Sequence, residues 1–433
     1  MNDTANTGIG SRLEPHPLRS VVLGEMHARP FHPVTPPGRM LRLVFMTDEA
    51  QAAGSRAALQ SLCATLGGAG PGPGEKHCRV ALPRGLLRWE QHNEFTTYTF
   101  EPKDASATPF EPAATELCDA MRVLPQPGPL LASIDLHFLA QRPSAGYEAW
   151  LDPMSLAASS LIAGKAEAAT DFRPTGDGFV RLMVIADDLQ PNSAGAMTQR
   201  LLEVETYRVL ALLGLPEAQR LAPVVKGIED QLTAIARRMT EVEGLEANHQ
   251  LLRQLTTLAA QLEAEATTAG FRFSASRAYD GIVQQRLESL KEGPLEGHSM
   301  FSSFLARRMG PAMRTCRMME ERQSALATRL SRTADLLRTR VQLDMETQNR
   351  DLMASMNERT RLQLRMQQTV EGLSVAAVSY YVLGLIGYLF KGAKDGGVLP
   401  FDPAIATAAV LPAIVLLVAL AVRRIRRKHA EDH

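Results

Sequence analysis

The chain has 433 residues, with 47 basic and 47 acidic side chains, 45% hydrophobic residues and four cysteines. That length accommodates about two to three domains and is ample for a buried core. A net charge of zero excludes the basic excess of a general nucleic-acid binder, and the apolar content excludes global disorder.

Residues 1–40 form an N-terminal segment. Its first seventeen residues are polar, and no apolar core precedes a small-residue cleavage site, so no signal peptide is expected. The segment carries Glu25-Met26-His27-Ala28-Arg29-Pro30-Phe31, followed by His32. His27 has the chemistry to titrate near neutrality, and Arg29 to grip a carboxylate or phosphate in bidentate fashion. Placed before a strand, the same residues can equally tie a loop to a sheet.

Residues 41–190 read as a mixed α/β domain. Runs at 41–47, 86–91, 96–101, 131–139 and 179–186 have strand character, and 90–94 (EQHNE) separates two of them as a hairpin. Helical patches at 48–66 and 113–121 lie between strands, and the Gly/Pro run at 67–74 is a loop. Arg88, Glu90, His92 and Glu94 make a polar group on one hairpin. The candidate ligand-binding residues are therefore His27, Arg29, His92 and Glu94. His27, His92 and Glu94 are far apart in sequence, whereas metal spacing rules are local, so no metal or other cofactor is assigned.

Residues 194–310 predict a helical bundle. Leu221, Val225, Ile228, Leu232, Ile235, Met239 and Val242, and then Leu251, Leu255, Leu258 and Leu262, recur at steps of three and four. Such a narrow seam predicts two antiparallel helices. Glu203, Glu205, Tyr207 and Arg208 are expected on a solvated or interdomain face. Residues 311–372 predict a stalk helix. Apolar positions fall at Leu326, Leu330 and Ala334, then Leu337, Val341 and Met345, then Leu352 and Met356, each set eleven residues after the last. An eleven-residue repeat keeps one stripe straight along a long helix, about 120 Å if it runs into the first apolar segment. Such a helix needs lateral partners, from its own chain or from neighbouring subunits.

Residues 373–390 and 405–422 are uncharged and long enough to cross a bilayer, with 391–404 as the outer loop and 423–433 as a basic tail. Arginines flank the outer ends of both segments, which places both termini in the cytoplasm under the positive-inside rule. The fold class expected is α+β: an N-terminal mixed cytoplasmic domain, a long helical bundle and stalk, and a C-terminal two-helix transmembrane hairpin. Ser374, Ala377, Tyr381, Gly384 and Tyr388 are spaced three and four apart and form one small-and-polar stripe. Small residues and hydroxyls serve close helix packing, or, with several copies around an axis, line a conduction path; these are the candidate pore-lining residues. No ionisable residue lies in either segment, which disfavours a carboxylate proton relay.

Cys63, Cys78, Cys118 and Cys316 form no C-x-x-C pair, so reduced thiols facing the cytoplasm fit better than a disulfide framework or zinc site. The run 67–76 lacks the Gly-Lys-Ser/Thr of a phosphate loop, and H-E-x-x-H, G-x-S-x-G and the kinase set are absent. No catalytic constellation emerges, and an enzyme is not expected.

Three strings, E-M-H-A-R-P-F (25–31), R-W-E-Q-H-N-E-F-T-T-Y (88–98) and T-V-E-G-L-S-V-A-A-V-S-Y-Y (369–381), resemble the bacterial membrane-anchored domain-of-unknown-function family 3422. The likeness covers nearly the whole chain, with Met26 where that family commonly has Leu. It implies the anchor and brings no assigned activity. The order of domain, bundle, stalk and two spans also looks like the CorA-type cation channels, which are homopentamers. The G-M-N tripeptide of those channels is missing, with Leu389-Phe390-Lys391 near that place, and Lys391 and Lys394 in the outer loop would repel a divalent cation. The leading expectation is a homo-oligomeric inner-membrane protein whose cytoplasmic domain controls a two-span ion channel or transporter, its partners being the lipid bilayer and its own copies, with no nucleic acid. A non-transporting membrane-anchored scaffold or sensor is the alternative.

Overall fold

The computed structural model describes residues 16–19, 23, 31–72, 74–395, 397, 400 and 402–431. The chain is α+β and divides into two compact units, Met1–Ala236 with Leu255–Arg332, and Arg237–Gln254 with Thr333–His433.

The first unit is built on a nine-stranded sheet: β1 (Gly38–Met46), β2 (His77–Leu82), β3 (Gly85–Gln91), β4 (Phe95–Pro102), β5 (Leu130–Leu139), β6 (Ala157–Leu161), β7 (Ala166–Pro174), β8 (Val180–Ile185) and β9 (Gly293–Pro294). Their spatial order is β2-β3-β4-β1-β5-β8-β7-β6-β9. Neighbours are antiparallel except β5 and β8, so two antiparallel sets meet at one parallel seam. The five expected strands fall in β1, β3, β4, β5 and β8. Strands β6 and β7 escape a pattern reading because they are rich in Ala, Ser and Thr rather than large apolar residues. Ala157, Ala158, Ala168 and Ala169 are nonetheless fully buried: Ala157 and Ala168 face the helices, and Ala158 and Ala169 pack with Phe110, Tyr147 and Leu151 on the other face.

Among the described residues the α-helices include α1 (Glu49–Thr65), α2 (Ala114–Cys118), α3 (Pro191–Leu212), α4 (Gly214–Glu241), α5 (Leu245–Ser289), α6 (Phe301–Arg308), α7 (Gly310–Asp395) and α8 (Pro403–Glu431). Helix α1 begins with a capping box, Asp48 Oδ1 accepting from Gln51 N at 2.8 Å and Gln51 Oε1 from Asp48 N at 3.0 Å. It covers one face of the β2–β3–β4–β1 set through Leu59 and Cys63 against Leu41, Leu87, Trp89 and Phe100. Helix α3 covers the opposite face, with Met197, Leu201 and Leu202 on Ile134, Leu136 and Leu182; Val283 and Leu287 of α5 and Phe301 and Phe304 of α6 complete that core. At Gly195 the extended residues 31–34 cross α3. A Cβ there would lie 1.8 Å from His32 O, so only glycine permits the crossing, which Val34 N secures by donating to Pro191 O at 3.0 Å.

The bundle expected over 194–310 also contains β9, and the break between α4 and α5 falls at Gly244, whose φ is +105°. The predicted seam residues Leu221, Val225, Ile228, Leu232 and Ile235 are buried, as are Leu251, Leu255, Leu258 and Leu262. Arg220 near the start of α4 meets Glu265 of α5 at 2.7 Å, as an antiparallel pair requires. On the α3 face expected to be solvated or interdomain, the solvated alternative is corrected: Glu205 is fully buried and takes a bidentate pair from Arg208.

Helix α7 contributes residues 310–332 to the first unit and the rest to the second. In the second unit it packs on the tips of α4 and α5. Arg340 Nη1 donates to Met239 O, and the buried Asn248 donates to Asp344 Oδ2 at 2.7 Å. The apolar segment 373–390 lies within α7 and 405–422 within α8. Both helices are long and apolar enough to cross a membrane, and only 6% of the residues in the most apolar stretch of each are buried. Because α7 continues to Asp395 and α8 begins at Pro403, the link is shorter than the 391–404 expected.

Candidate functional site

In β1, β3 and β4, alternation sends Leu41, Leu87, Trp89, Tyr98 and Phe100 towards α1 and the intervening residues towards α3. Of these, Arg42, Arg88, Glu90, Thr97, Thr99 and Glu101 are charged or hydroxylic, while Met40 and Val44 of β1 join apolar clusters. Register places Arg42 opposite Thr99, Thr99 opposite Arg88, and Thr97 opposite Glu90. The result is a cross-strand ladder roofed by α3. Arg42 Nε donates to Thr99 Oγ1 at 3.0 Å, and its Nη2 lies 3.5 Å from Glu90 Oε2. Arg88 Nη1 donates to Gln199 Oε1 at 2.9 Å, while Nη2 lies 3.8 Å from Glu101. Gln199 in turn donates to Glu203 at 3.0 Å, and Arg286 of α5 reaches Glu203 at 2.5 Å. His32, directly after the 25–31 motif, lies 3.6 Å from Glu101.

Arg42, Arg88 and Arg286 thus meet Glu90, Glu101 and Glu203 in a charge-balanced network. Burial pushes the Arg42 guanidinium below its ordinary value, with Glu90 pulling it back. Arg88 Nε is buried with no partner among the described residues. This arrangement clamps helices to sheet. Burial pushes the Cys78 thiol up to about 11 and the Cys118 thiol up to about 12, which keeps both protonated at neutral pH.

Of the four candidate ligand-binding residues, His27 and Arg29 lie outside the described residues. His92 and Glu94 sit at the β3–β4 turn and serve different partners. The His92 ring stacks on Phe95, centroids 4.0 Å apart, and its amide donates to Phe95 O at 2.8 Å. Glu94 accepts from Arg272 at 3.1 and 2.6 Å and from the Tyr279 hydroxyl at 2.6 Å. Burial, reinforced by Glu94, pushes the Tyr279 phenol above its usual value. Glu94 is an anchor between hairpin and α5. No group of three or more His, Cys, Asp or Glu side chains able to hold a metal ion occurs among the described residues. Arg42, Glu101, Gln199, Arg272, Tyr279 and Arg286 were not singled out from sequence. The available signal was a charge inside a strand, as in Leu41-Arg42-Leu43, where an exposed strand would alternate more freely.

In the second unit, the stripe Ser374, Ala377, Tyr381, Gly384 and Tyr388 is exposed, Tyr381 by 72% and Tyr388 by 78%. The side of α7 that is at least partly covered is a different one, carrying Val375, Ser379, Val382, Leu383, Ile386 and Gly387. A Cβ on Gly387 would lie 3.7 Å from Thr407 Oγ1 of α8, so this is the side on which α8 packs. The five stripe residues share one face, and that face is not used for the hairpin's own packing.

A family model described as "Protein of unknown function (DUF3422)" matches residues 14–429. No curated protein and no solved structure matches the chain, so the likeness to CorA-type channels rests on the order of elements alone. With almost its full length inside that match, the chain belongs to the DUF3422 family.

Proposed function

We propose that this chain is a homo-oligomeric inner-membrane protein, both termini cytoplasmic, in which α7 and α8 form a two-span bundle controlled by the α/β unit and conducting a small ion. One observation carries the reading: α7 turns Ser374, Tyr381 and Tyr388 away from α8, its own partner span. Ser374 Oγ already donates to Val370 O at 2.9 Å within the helix. The Tyr381 and Tyr388 hydroxyls, costly in hydrocarbon without a partner, need a neighbouring copy or water along a shared axis. The arginines at 423, 424, 426 and 427 and those at 359, 361 and 365 set the orientation. The low burial of both apolar stretches distinguishes them from the core helices of a soluble protein.

The test is the mass of the full-length protein in mild detergent, together with K⁺, Mg²⁺ and Cl⁻ flux in liposomes. An oligomer with flux that falls in a Ser374→Leu/Tyr381→Leu variant is expected. A monomer without flux would defeat the proposal. The second reading, a tethered scaffold or sensor, is favoured by Lys391 and Lys394 at the link, which oppose cation entry. An oligomer that conducts none of the three ions would select it.

A further inference from the structure

We propose that the cavity between β7, α3 and α6 binds a small amphipathic oxyanion, a phosphate or carboxylate head on an apolar body. The site lies wholly in the first unit and is independent of whether the hairpin conducts.

The cavity measures about 480 Å³, within the range of small-ligand sites. Its apolar lining comes from Phe172, Leu212, Phe304, Leu305 and Met309. The rings of Phe172 and Phe304 stack with centroids 5.1 Å apart. A guanidinium caps each ring: Arg208 Cζ lies 5.4 Å from Phe172 and Arg308 Cζ 5.0 Å from Phe304. Arg173 adds a third guanidinium to the wall.

The partners of these cations single out one of them. Arg208 is held by Glu205 and Arg173 by Asp152 at 2.5 Å. Arg308, seated over Phe304, has no acidic partner among the described residues. Asp171, the one carboxylate in the wall, is already occupied: Oδ1 accepts from Arg173 N at 3.0 Å and Oδ2 from Asp152 N at 2.9 Å. A hydroxyl is left over as well. Ser155 lines the same cavity, is only 6% exposed, and its Oγ is buried without a partner among the described residues. A guanidinium without an acidic partner over an aromatic floor calls for an acceptor-rich head on a flat or apolar body. The unsatisfied Ser155 hydroxyl behind the same wall is a second donor that a small side-chain shift would bring to that head. Phe172 at φ +55° fits a site, since left-handed backbone at a bulky residue is held only where the surroundings enforce it. A larger cavity of about 880 Å³ shares Met154, Phe304 and Arg308 and adds Arg307 and His298, giving the ligand's far end a route outwards.

Calorimetric titration of the full-length protein in detergent with phenyl phosphate tests this. Inorganic phosphate serves as the head alone and benzyl alcohol as the body alone. Saturable binding of phenyl phosphate is expected, at least tenfold tighter than inorganic phosphate, with no binding of benzyl alcohol. Arg308→Ala changes an exposed side chain and should weaken binding at least tenfold with an unchanged thermal midpoint; Ser155→Ala should weaken it about threefold. Arg84→Ala, beside the opposite end of the sheet, should leave binding unchanged. No saturable binding by the unaltered protein, or equal affinity in the Arg308→Ala variant, would overturn the site. Equal affinity for bare phosphate would overturn its amphipathic character.

Discussion

The two halves of the α7 seam carry the same spacing and meet different fates. Leu326, Leu330, Leu337 and Val341 are at most 9% exposed, covered by the antiparallel α4 and α5. Met345, Leu352 and Met356 continue the same eleven-residue register and are 48%, 56% and 63% exposed. Each such side chain, if buried, would contribute about 1.5–3 kcal/mol. The periodicity therefore specifies a surface to be covered without specifying what covers it. Within one chain the cover ends where the α4–α5 tips end. The stripe from Ser374 to Tyr388 repeats that situation further along the helix.

The sharpest way to test the contrast is to alter each half separately. Leu330→Ala should lower the stability of the full-length protein by about 2–5 kcal/mol, the usual range for a buried leucine, read as a drop in the thermal midpoint in detergent. Leu352→Asp combined with Met356→Asp should leave that midpoint nearly unchanged yet raise the dissociation constant of the oligomer tenfold or more, about 1.4 kcal/mol, measured by light scattering. A midpoint falling as far as for Leu330→Ala would mean that the bare half is covered within the chain.

A smaller effect comes from the ion pair flanking the covered half. The Arg322 guanidinium, 2.5 Å from Glu229, holds that carboxyl below its ordinary value. Because the folded value is depressed, the stabilisation is complete above the unfolded value of about 4.3. It is lost as pH falls through the lowered one. For so exposed a pair the loss is about 0.2–1 kcal/mol. An Arg322→Ala variant should show a flatter acid limb in its stability-against-pH curve. Leu352→Ala alone should be the mildest change, within about 0.5 kcal/mol of the unaltered protein by the same thermal measurement.

Much of this architecture is legible from residue order because it rests on local periodicity. The large apolar alternation of β1, β4 and β5, the α4 and α5 seam and the two apolar helices announce themselves. Strands β6 and β7 do not: their small side chains fit under helices on one face and under Phe110, Tyr147 and Leu151 on the other, a requirement set by residues elsewhere in the chain. The buried ladder was half visible. Arg88 and Glu90 stood out, but their counterparts Arg42, Glu101 and Arg286 are joined to them only by strand register and by α5. His92 and Glu94, neighbours in the chain, are separated by the hairpin turn into different contacts, which local spacing does not encode. The cavity around Arg308 is assembled from β7, α3 and α6, with no motif to mark it.

Strand β9 pairs Pro294 with Ser159 and Gly293 with Ser160, and it arrives only after α5 has ended. The helical excursion is thus stitched into the sheet from both ends, so the first unit cannot be dissected at its apparent boundary near residue 190. A fragment stopping there would leave the backbone donors and acceptors of β6 open as an edge, and should associate edge to edge or be nicked by proteases. Any soluble piece intended for biophysics must therefore reach past residue 300.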